Sequence, residues 1–236
     1  LLFEMSGEKI IDFGLDKSQK DRVDEVHEKA FVINTLTGCH GWRSRWKEFG
    51  RKRSHNLIEM GLKGGLTANS LTLGGDSIHE GALSIVEWDN MMASIQEKCR
   101  KILSAKDLEE TKRDVKSGYI INFQNTTNLE GKLSPIDLFH RLGLRIMQLT
   151  YQKANLVGDG CGSLRADTSG LTDFGVNVVE RLNKLKIVID LSHVGHATTI
   201  DALELSKQPP TFTHTNCHGT YGFKFMRGKS DEDLQA

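Results

Sequence analysis

Strand-like and helix-like hydrophobic patterns alternate along most of the chain. Six short runs rich in β-branched and other apolar residues are predicted strands. They are Ala30–Leu36, Gly65–Leu73, Gly118–Gln124, Arg145–Thr150, Ile187–Leu191 and Thr211–His214. Within Ile187–Leu191 only Asp190 interrupts the apolar run, as is typical of a strand covered by helices on both faces. The alternation predicts parallel strands joined by helical crossovers.

The predicted helices are marked mainly by their capping residues. Ser134 is a predicted N-cap, with Pro135 at the first helical position and Gly143 at the end. Thr172 caps a helix whose apolar residues recur on one face down to Leu185. The other predicted helices are Arg53–Leu62, Ile85–Leu103, one opening at the capping box Thr198–Asp201 and one opening at Ser230–Asp233.

Strand–helix units in this order predict most of a (β/α)8 TIM barrel. Eight units close such a barrel, and only about six can be counted here. The chain ends at Ala236, just after the cap of its last helix. We therefore expect one domain over residues 1–236 that is incomplete at its C-terminus, with no signal peptide in its first residues.

Charge and cysteine content narrow the classes of partner. The 236 residues include 31 basic and 31 acidic side chains, so the net charge gives no attraction to nucleic acid or to a membrane surface. The four cysteines have no CxxC spacing, which favours reduced thiols in a cytoplasmic protein. Whether the chain forms a homodimer is left open.

Two histidines end consecutive predicted strands. His193 follows Ile187–Leu191 and His214 closes Thr211–His214. Barrel enzymes carry their functional groups at these C-terminal strand ends, and neighbouring strands lie only about 4.8 Å apart. The pair could share a zinc ion, although either histidine alone could equally be a hydrogen-bonded core residue.

A series of motifs resembles the membrane dipeptidase family of zinc hydrolases. Weaker upstream matches are Gly64–Ala68 and Phe123–Thr127. The stronger matches are Leu142–Arg145, Gln148–Tyr151, Asn155, Gly158–Cys161, Gly170–Gly175, Asn183, Ile189–His193 and Phe212–His214. The resemblance implies a (β/α)8 barrel with a two-zinc site that hydrolyses dipeptides.

The resemblance also assigns roles to five residues. It implies that His193 and His214 are metal ligands and that Gln124 stands at the position of a bridging glutamate. Arg227 aligns with an arginine that binds the substrate carboxylate. Tyr151 replaces a histidine that contacts the tetrahedral intermediate, where a phenol can still donate a hydrogen bond.

The metal site departs from the family pattern. Leu36 and Gly38 stand where the family has a His-x-Asp pair, and Gln124 brings one neutral carbonyl oxygen where a carboxylate brings two charged ones. We therefore expect at most one divalent ion, weakly held by His193, His214 and Gln124. Nearby Cys39, His40, Cys217 and His218 are most simply loop residues without a ligand role.

Two functions follow. The first is a dipeptidase-like metal-dependent hydrolase that cleaves the amide bond of a dipeptide or similar small molecule. The alternative is a metal-poor or metal-free homologue that binds a small peptide or metabolite without hydrolysing it.

Overall fold

Parallel strands form one curled sheet. The computed structural model describes residues 13–38, 58–221 and 227–236. The sheet order is β1-β2-β4-β5-β6, with β3 pairing beside β4, and each pairing is parallel. The strands are β1 (Ile33–Gly38), β2 (Ala68–Leu73), β3 (Cys99–Lys101), β4 (Ser117–Phe123), β5 (Leu144–Gln148) and β6 (Val188–Asp190).

Helices connect the strands. The helices are α1 (Lys17–Lys29), α2 (Ile78–Ala93), α3 (Ala105–Arg113), α4 (Ser134–Arg141), α5 (Asp173–Leu185), α6 (His196–Leu205), α7 (His218–Tyr221) and α8 (Asp231–Gln235). Residues 58–63 are also helical, and Thr127–Leu129 form one 3-10 turn. The sheet curls so that its two ends come together. Thr35 Oγ1 on β1 donates a hydrogen bond to the Thr213 carbonyl, beyond the other end of the sheet, at 2.7 Å. The fold is therefore part of a (β/α) barrel, as predicted.

The core lies between the sheet and the helices packed on its outer face. β4 is its centre: Ile121 and Phe123 are fully buried, and the Phe123 ring meets Phe139 of α4 edge-on at 5.0 Å. Val178 and Leu182 bury the apolar face of α5. Burying a side chain of this size stabilises the fold by about 1.5–3 kcal/mol.

Five of the six predicted strands are present, with ends shifted by up to three residues. The sixth, Thr211–His214, is wrong as a regular strand: only Thr211 bridges in parallel to Asp190 of β6. The Asp190 carboxylate accepts hydrogen bonds from the backbone N–H and the hydroxyl of Thr213. These side-chain hydrogen bonds take the place of further strand pairing in this stretch.

The predicted helix Ile85–Leu103 is present over Ile85–Ala93, but both of its predicted ends are wrong. Ser77 caps α2, its hydroxyl accepting from Glu80 N, so the helix begins seven residues earlier and ends at Ala93. Cys99–Lys101 then forms β3 because Cys99 and Lys101 pair with the first residues of β4. Neither α1 nor α3 was predicted. The predicted helix Arg53–Leu62 begins outside the described residues.

The predicted caps are partly confirmed. Thr172 Oγ1 accepts from Gly175 N at 3.0 Å, and Ser230 forms a capping box with Asp233 at α8. Ser134 is wrong as an N-cap, since the helix already includes it. Thr198 is wrong as well, because α6 begins at His196 and the Thr198 hydroxyl accepts from Asp159 N while donating to the Ser169 carbonyl.

In the part of the chain that is described, no helix combines the length and the apolar character needed to cross a membrane.

Candidate functional site

His193 and His214 meet at one rim of the sheet. Both follow the C-terminal end of a strand or bridge, and their ring centroids are 4.9 Å apart. The Tyr151 ring stacks on His193 at 4.0 Å, with 24° between the planes. Gln124 Nε2 lies 3.0 Å from His214 Nε2. The geometry therefore brings four of the predicted site residues into one cluster.

A chain of hydrogen bonds sets the tautomer of His214. Thr213 Oγ1 donates its one proton to the Asp190 carboxylate at 2.6 Å and lies 2.7 Å from His214 Nδ1. Because that proton is already used, Nδ1–H must donate to Thr213. The lone pair of the ring is then on Nε2, which faces the Gln124 amide and can accept its N–H or bind a cation.

His193 is held in its neutral form. The side chain is 4% exposed, and its Nδ1 is buried with no hydrogen-bond partner among the described residues. Burial lowers the pKa of His193 to about 3, with further lowering from Arg227, His214 and Lys229. Burial also lowers the pKa of His214, opposed by the Asp190 carboxylate. Both rings are thus neutral at neutral pH, the form in which imidazole binds metals.

Tyr151 is placed by a close approach of two backbones. A side chain on Gly160 would collide with the Tyr151 carbonyl, since its Cβ would lie 2.1 Å from that oxygen. The tyrosine is 42% exposed while its ring covers His193. The tyrosine therefore keeps accessible surface next to His193.

Arg227 joins the two strand ends that carry the histidines. Its Nη1 donates to the Ser192 carbonyl at 2.6 Å and its Nη2 to the His214 carbonyl at 2.9 Å. A guanidinium has five N–H donors, so these contacts leave others for a ligand. Its predicted role in binding a carboxylate stays a prediction.

Lys229 is a buried cation that sequence patterns did not single out. Its Nζ donates to the Val194 carbonyl at 2.7 Å and to Thr199 Oγ1 at 2.8 Å. These bonds fix the turn that begins directly after His193. Burial lowers the pKa of Lys229 to about 8, although Asp233, Cys161 and Asp190 oppose the shift.

The lysine makes stability depend on pH on the alkaline side. Its ordinary pKa is 10.5, so between about 8 and 10.5 the unfolded chain binds more protons and the free energy of unfolding rises with pH. We expect the free energy of unfolding of wild type, minus that of Lys229→Met, to increase by about 2 kcal/mol from pH 7.5 to pH 10. Urea unfolding at both values measures it. Lys132→Met, at an exposed lysine, is the control, and an unchanged difference for Lys229→Met would contradict the assignment.

The remaining predicted residues lie around the cluster or outside it. Leu36 is half-buried on β1, next to the Thr35 that reaches Thr213. Gly38 ends β1, whereas Cys39 and His40 lie outside the described residues. Cys217 bridges to Lys229, and His218 lines a separate cavity of about 490 Å³ with His196 and Lys229.

The two imidazoles and the Gln124 amide are the groups at this rim that could hold one divalent cation. Within residues 13–38, 58–221 and 227–236, no three His, Cys, Asp or Glu side chains come together as a metal site. The two imidazoles and the amide lie together at this rim, and Nδ1 of His193 is buried with no hydrogen-bond partner among the described residues. Asp190 lies on the other side of the His214 ring: its Oδ2 is 3.9 Å from Nδ1, with Thr213 between them, whereas Nε2 faces Gln124. Gln124 is neutral and has one side-chain oxygen, so it cannot replace a carboxylate that bridges two ions.

A barrel with a histidine site at the C-terminal rim of its strands is a common framework for hydrolases. Residues 43–231 match the family model of the membrane dipeptidases, peptidase family M19. The chain belongs to this family of metallopeptidases.

Relatives and solved structures agree with that membership. The chain is 31% identical to Dipeptidase tcpJ of Claviceps purpurea (strain 20.1) over 114 residues, 48% of this chain and 27% of that protein. It is 30% identical to Dipeptidase 3 of Mus musculus over 138 residues, 57% of this chain and 27% of that protein. The matches thus span about a quarter of these relatives' length.

Two solved structures share the fold. An amidohydrolase from Pseudomonas aeruginosa superposes with a TM-score of 0.77 at 29% identity, covering 90% of this chain and 60% of that one. A metallopeptidase from Rhodobacter sphaeroides, liganded with a phosphinate mimic of the dipeptide L-Ala-D-Ala, has a TM-score of 0.68 at 19% identity. That comparison covers 86% of this chain and 70% of the other, and it shows the fold alone.

Proposed function

We propose that this chain carries the histidine site of a dipeptidase-type hydrolase that cleaves the amide bond of a dipeptide or a similar small molecule. The observation that supports it most is the meeting of His193 and His214, 4.9 Å apart, at the rim of a family M19 barrel. The phosphinate dipeptide mimic bound to the Rhodobacter sphaeroides relative supports the substrate class.

We propose one zinc ion at this site, held by His193, by Nε2 of His214 and by the side-chain oxygen of Gln124. The Gln124 amide would turn to present its oxygen, which needs only rotation about the last side-chain bond. A bound zinc ion supplies Lewis acidity toward a carbonyl and a water made acidic near neutral pH.

The protein's own groups bind and orient the substrate. Tyr151 lies against His193, and its phenol donates a hydrogen bond to the carbonyl oxygen that gains negative charge as the carbonyl carbon becomes tetrahedral. Arg227 binds the terminal carboxylate with the N–H groups that Ser192 and His214 leave free. Asp190 keeps the lone pair of His214 on Nε2 through Thr213.

Gln124 also favours the second candidate, a binding protein without hydrolytic activity. Its amide already makes the hydrogen bond of His214 Nε2 at 3.0 Å, so this nitrogen needs no cation. A neutral ligand set of two imidazoles and an amide also holds zinc less well than one that includes carboxylates.

Restoring the carboxylate separates the two candidates. We expect wild type to bind about one zinc per chain and to release amino acids from L-Ala-D-Ala. Gln124→Glu should bind zinc more tightly by a factor on the order of ten, because an anion replaces a neutral ligand. Zinc content by mass spectrometry and amino-acid release by chromatography give the two readouts.

The control for this experiment is Gln96→Glu, at an exposed position distant in sequence from the cluster. It adds the same charge and should leave zinc content unchanged. Zinc-free wild type that binds the dipeptide intact would contradict the hydrolase and support the binding protein.

A cytoplasmic location and a homodimer stay predictions. The thiols of Cys99, Cys161 and Cys217 are free, in keeping with a reducing compartment.

A further inference from the structure

Gln148 is a fully buried amide at the C-terminal end of β5. Its Nε2 donates one hydrogen bond to the Gln124 carbonyl and one to the Thr150 carbonyl, both at 2.7 Å. The amide can take only this orientation, because the reverse one would place its oxygen against two carbonyl oxygens. Both N–H groups of this side chain therefore bind the backbone just after two neighbouring strands, β4 and β5.

The two carbonyls belong to the backbone that carries the contacts with the histidines. The first is the carbonyl of Gln124 itself, whose side-chain Nε2 lies 3.0 Å from His214 Nε2. The second is the carbonyl of Thr150, in the peptide group that leads into Tyr151. The ring of that tyrosine stacks on His193 at 4.0 Å. One buried amide thus binds the backbone at both contacts.

Gln148 and Asp190 lie side by side where β5 and β6 end. They are Cα partners in the parallel pairing of these strands, so their side chains project from the same face of the sheet. Asp190 orients the ring of His214 through Thr213. The two buried polar side chains of this layer therefore act on three of the four residues in the cluster.

Packing alone does not account for an amide at this position. Gln148 Oε1 is buried, and no donor reaches it from the part of the chain that the structure describes. A buried acceptor without a donor destabilises a fold and offsets part of what the two hydrogen bonds contribute. An unbranched apolar side chain such as methionine fills a similar space without that cost. The two N–H groups are therefore what this position uses.

Other side-chain bonds already join the loops after β4 and β5. Thr126 Oγ1 donates to the Leu149 carbonyl at 2.7 Å, and Asn155 Nδ2 donates to Asn125 Oδ1 at 2.8 Å. These bonds end on residues outside the histidine cluster. The bonds of Gln148 are different, because they end on a residue of the cluster and on the neighbour of another.

We propose that Gln148 is a positioning residue of the histidine site. Through one carbonyl it holds the Gln124 amide against His214. Through the other carbonyl it holds the Tyr151 ring against His193. A shift of about 0.5 Å would lengthen a 3.0 Å contact beyond hydrogen-bond range, so small movements of these carbonyls matter. The inference rests on the proposed function for its effect on zinc binding, whereas its geometry is tested without a metal.

NMR of isotope-labelled, metal-free protein reports on both contacts. In wild type we expect one Gln124 side-chain amide proton to be shifted downfield by its hydrogen bond to His214. We also expect the ring protons of His193 to be shifted upfield by the stacked Tyr151 ring. Absence of both shifts in wild type would overturn the proposal.

Matched variants assign the two shifts to the buried amide. Gln148→Met keeps a side chain of similar length without the donors, and it should lose both shifts. Thr126→Val is the control, since it removes another buried bond between the same loops and should keep both. Gln148→Asn places the amide one methylene further from the carbonyls and should lose at least one shift, so it serves if the methionine variant does not fold. Both shifts retained in the Gln148 variants, or lost equally in Thr126→Val, would overturn the proposal.

Zinc titration against a chromophoric chelator tests the link to the proposed function. Removing a hydrogen-bond partner of a metal ligand commonly lowers metal affinity about 10–100-fold, so Gln148→Met should lower zinc affinity at least about tenfold. Thr126→Val should stay within about twofold of wild type. If wild type binds no zinc but Gln148→Met loses the NMR shifts, the proposed function fails and the positioning role stands. Zinc affinity in Gln148→Met equal to that of wild type would overturn the positioning role.

Discussion

His214→Ala is expected to remove zinc from the protein and to lower kcat/KM for dipeptide hydrolysis on the order of 100-fold or more. His214 is the better-oriented of the two rings, because Asp190 and Thr213 leave its lone pair on Nε2. Removing it leaves one imidazole and one amide, fewer than the three protein ligands of a usual catalytic zinc site. Losing even an outer hydrogen-bond partner of a ligand commonly costs 10–100-fold, so loss of the ligand itself should cost at least as much.

Zinc content and steady-state kinetics are measured on the same preparations. His79→Ala is the matched control, since His79 is exposed on α2. It should retain the zinc and the activity of wild type. A His214→Ala protein with full zinc content would show that the ion is held elsewhere.

Asp190→Ala is expected to cost about 3–5 kcal/mol of stability. The carboxylate is 3% exposed and accepts from the backbone and side chain of Ser192, at 3.0 and 2.6 Å. It also accepts from Thr213 N at 3.3 Å and from Thr213 Oγ1 at 2.6 Å. Alanine leaves these four donors without an acceptor in a buried place, and each unsatisfied group costs about 1–3 kcal/mol before relaxation.

Denaturant unfolding measures the loss, with Glu109→Ala as an exposed control expected to stay within about 0.5 kcal/mol. Asp190→Asn should lose less than alanine, because one amide oxygen still accepts. A loss under 1 kcal/mol for Asp190→Ala would mean that water replaces the carboxylate, and the proposed control of the His214 tautomer would fall with it.

Most of the fold could be predicted because the strand and helix periods are local properties. β4 is predicted almost to its ends, since the run is dominated by apolar residues and six of its seven residues are buried. The helix after Thr172 is predicted from its cap and its apolar face. These signals need no knowledge of distant contacts.

The missed elements depend on partners far along the chain. Cys99–Lys101 is only three residues long and becomes a strand by pairing with Ser117–Tyr119. The stretch at Thr211 keeps a single bridge because the Asp190 side chain binds Thr213 in place of a ladder. The pattern of about ten consecutive residues predicts neither the pairing of β3 nor the contact of Asp190 with Thr213.

The site residues also divide into those that the sequence predicts and those that only the structure shows. Strand-end position and family resemblance together predicted His193, His214, Gln124, Tyr151 and Arg227. The first four lie in one cluster, and Arg227 contacts the backbone carbonyls of Ser192 and His214. Lys229 carries no motif, so only the packing of the segment after Arg227 reveals it. The buried lysine in particular is recognised by its depth and by its bonds to Val194 and Thr199.

The central claim is that His193 and His214 hold one divalent ion together. Anomalous diffraction at the zinc absorption edge, on crystals of the protein grown with zinc, tests it directly. We predict a single peak about 2.0–2.1 Å from one nitrogen of each ring. Two zinc peaks at the rim, or no peak between these rings, would contradict it.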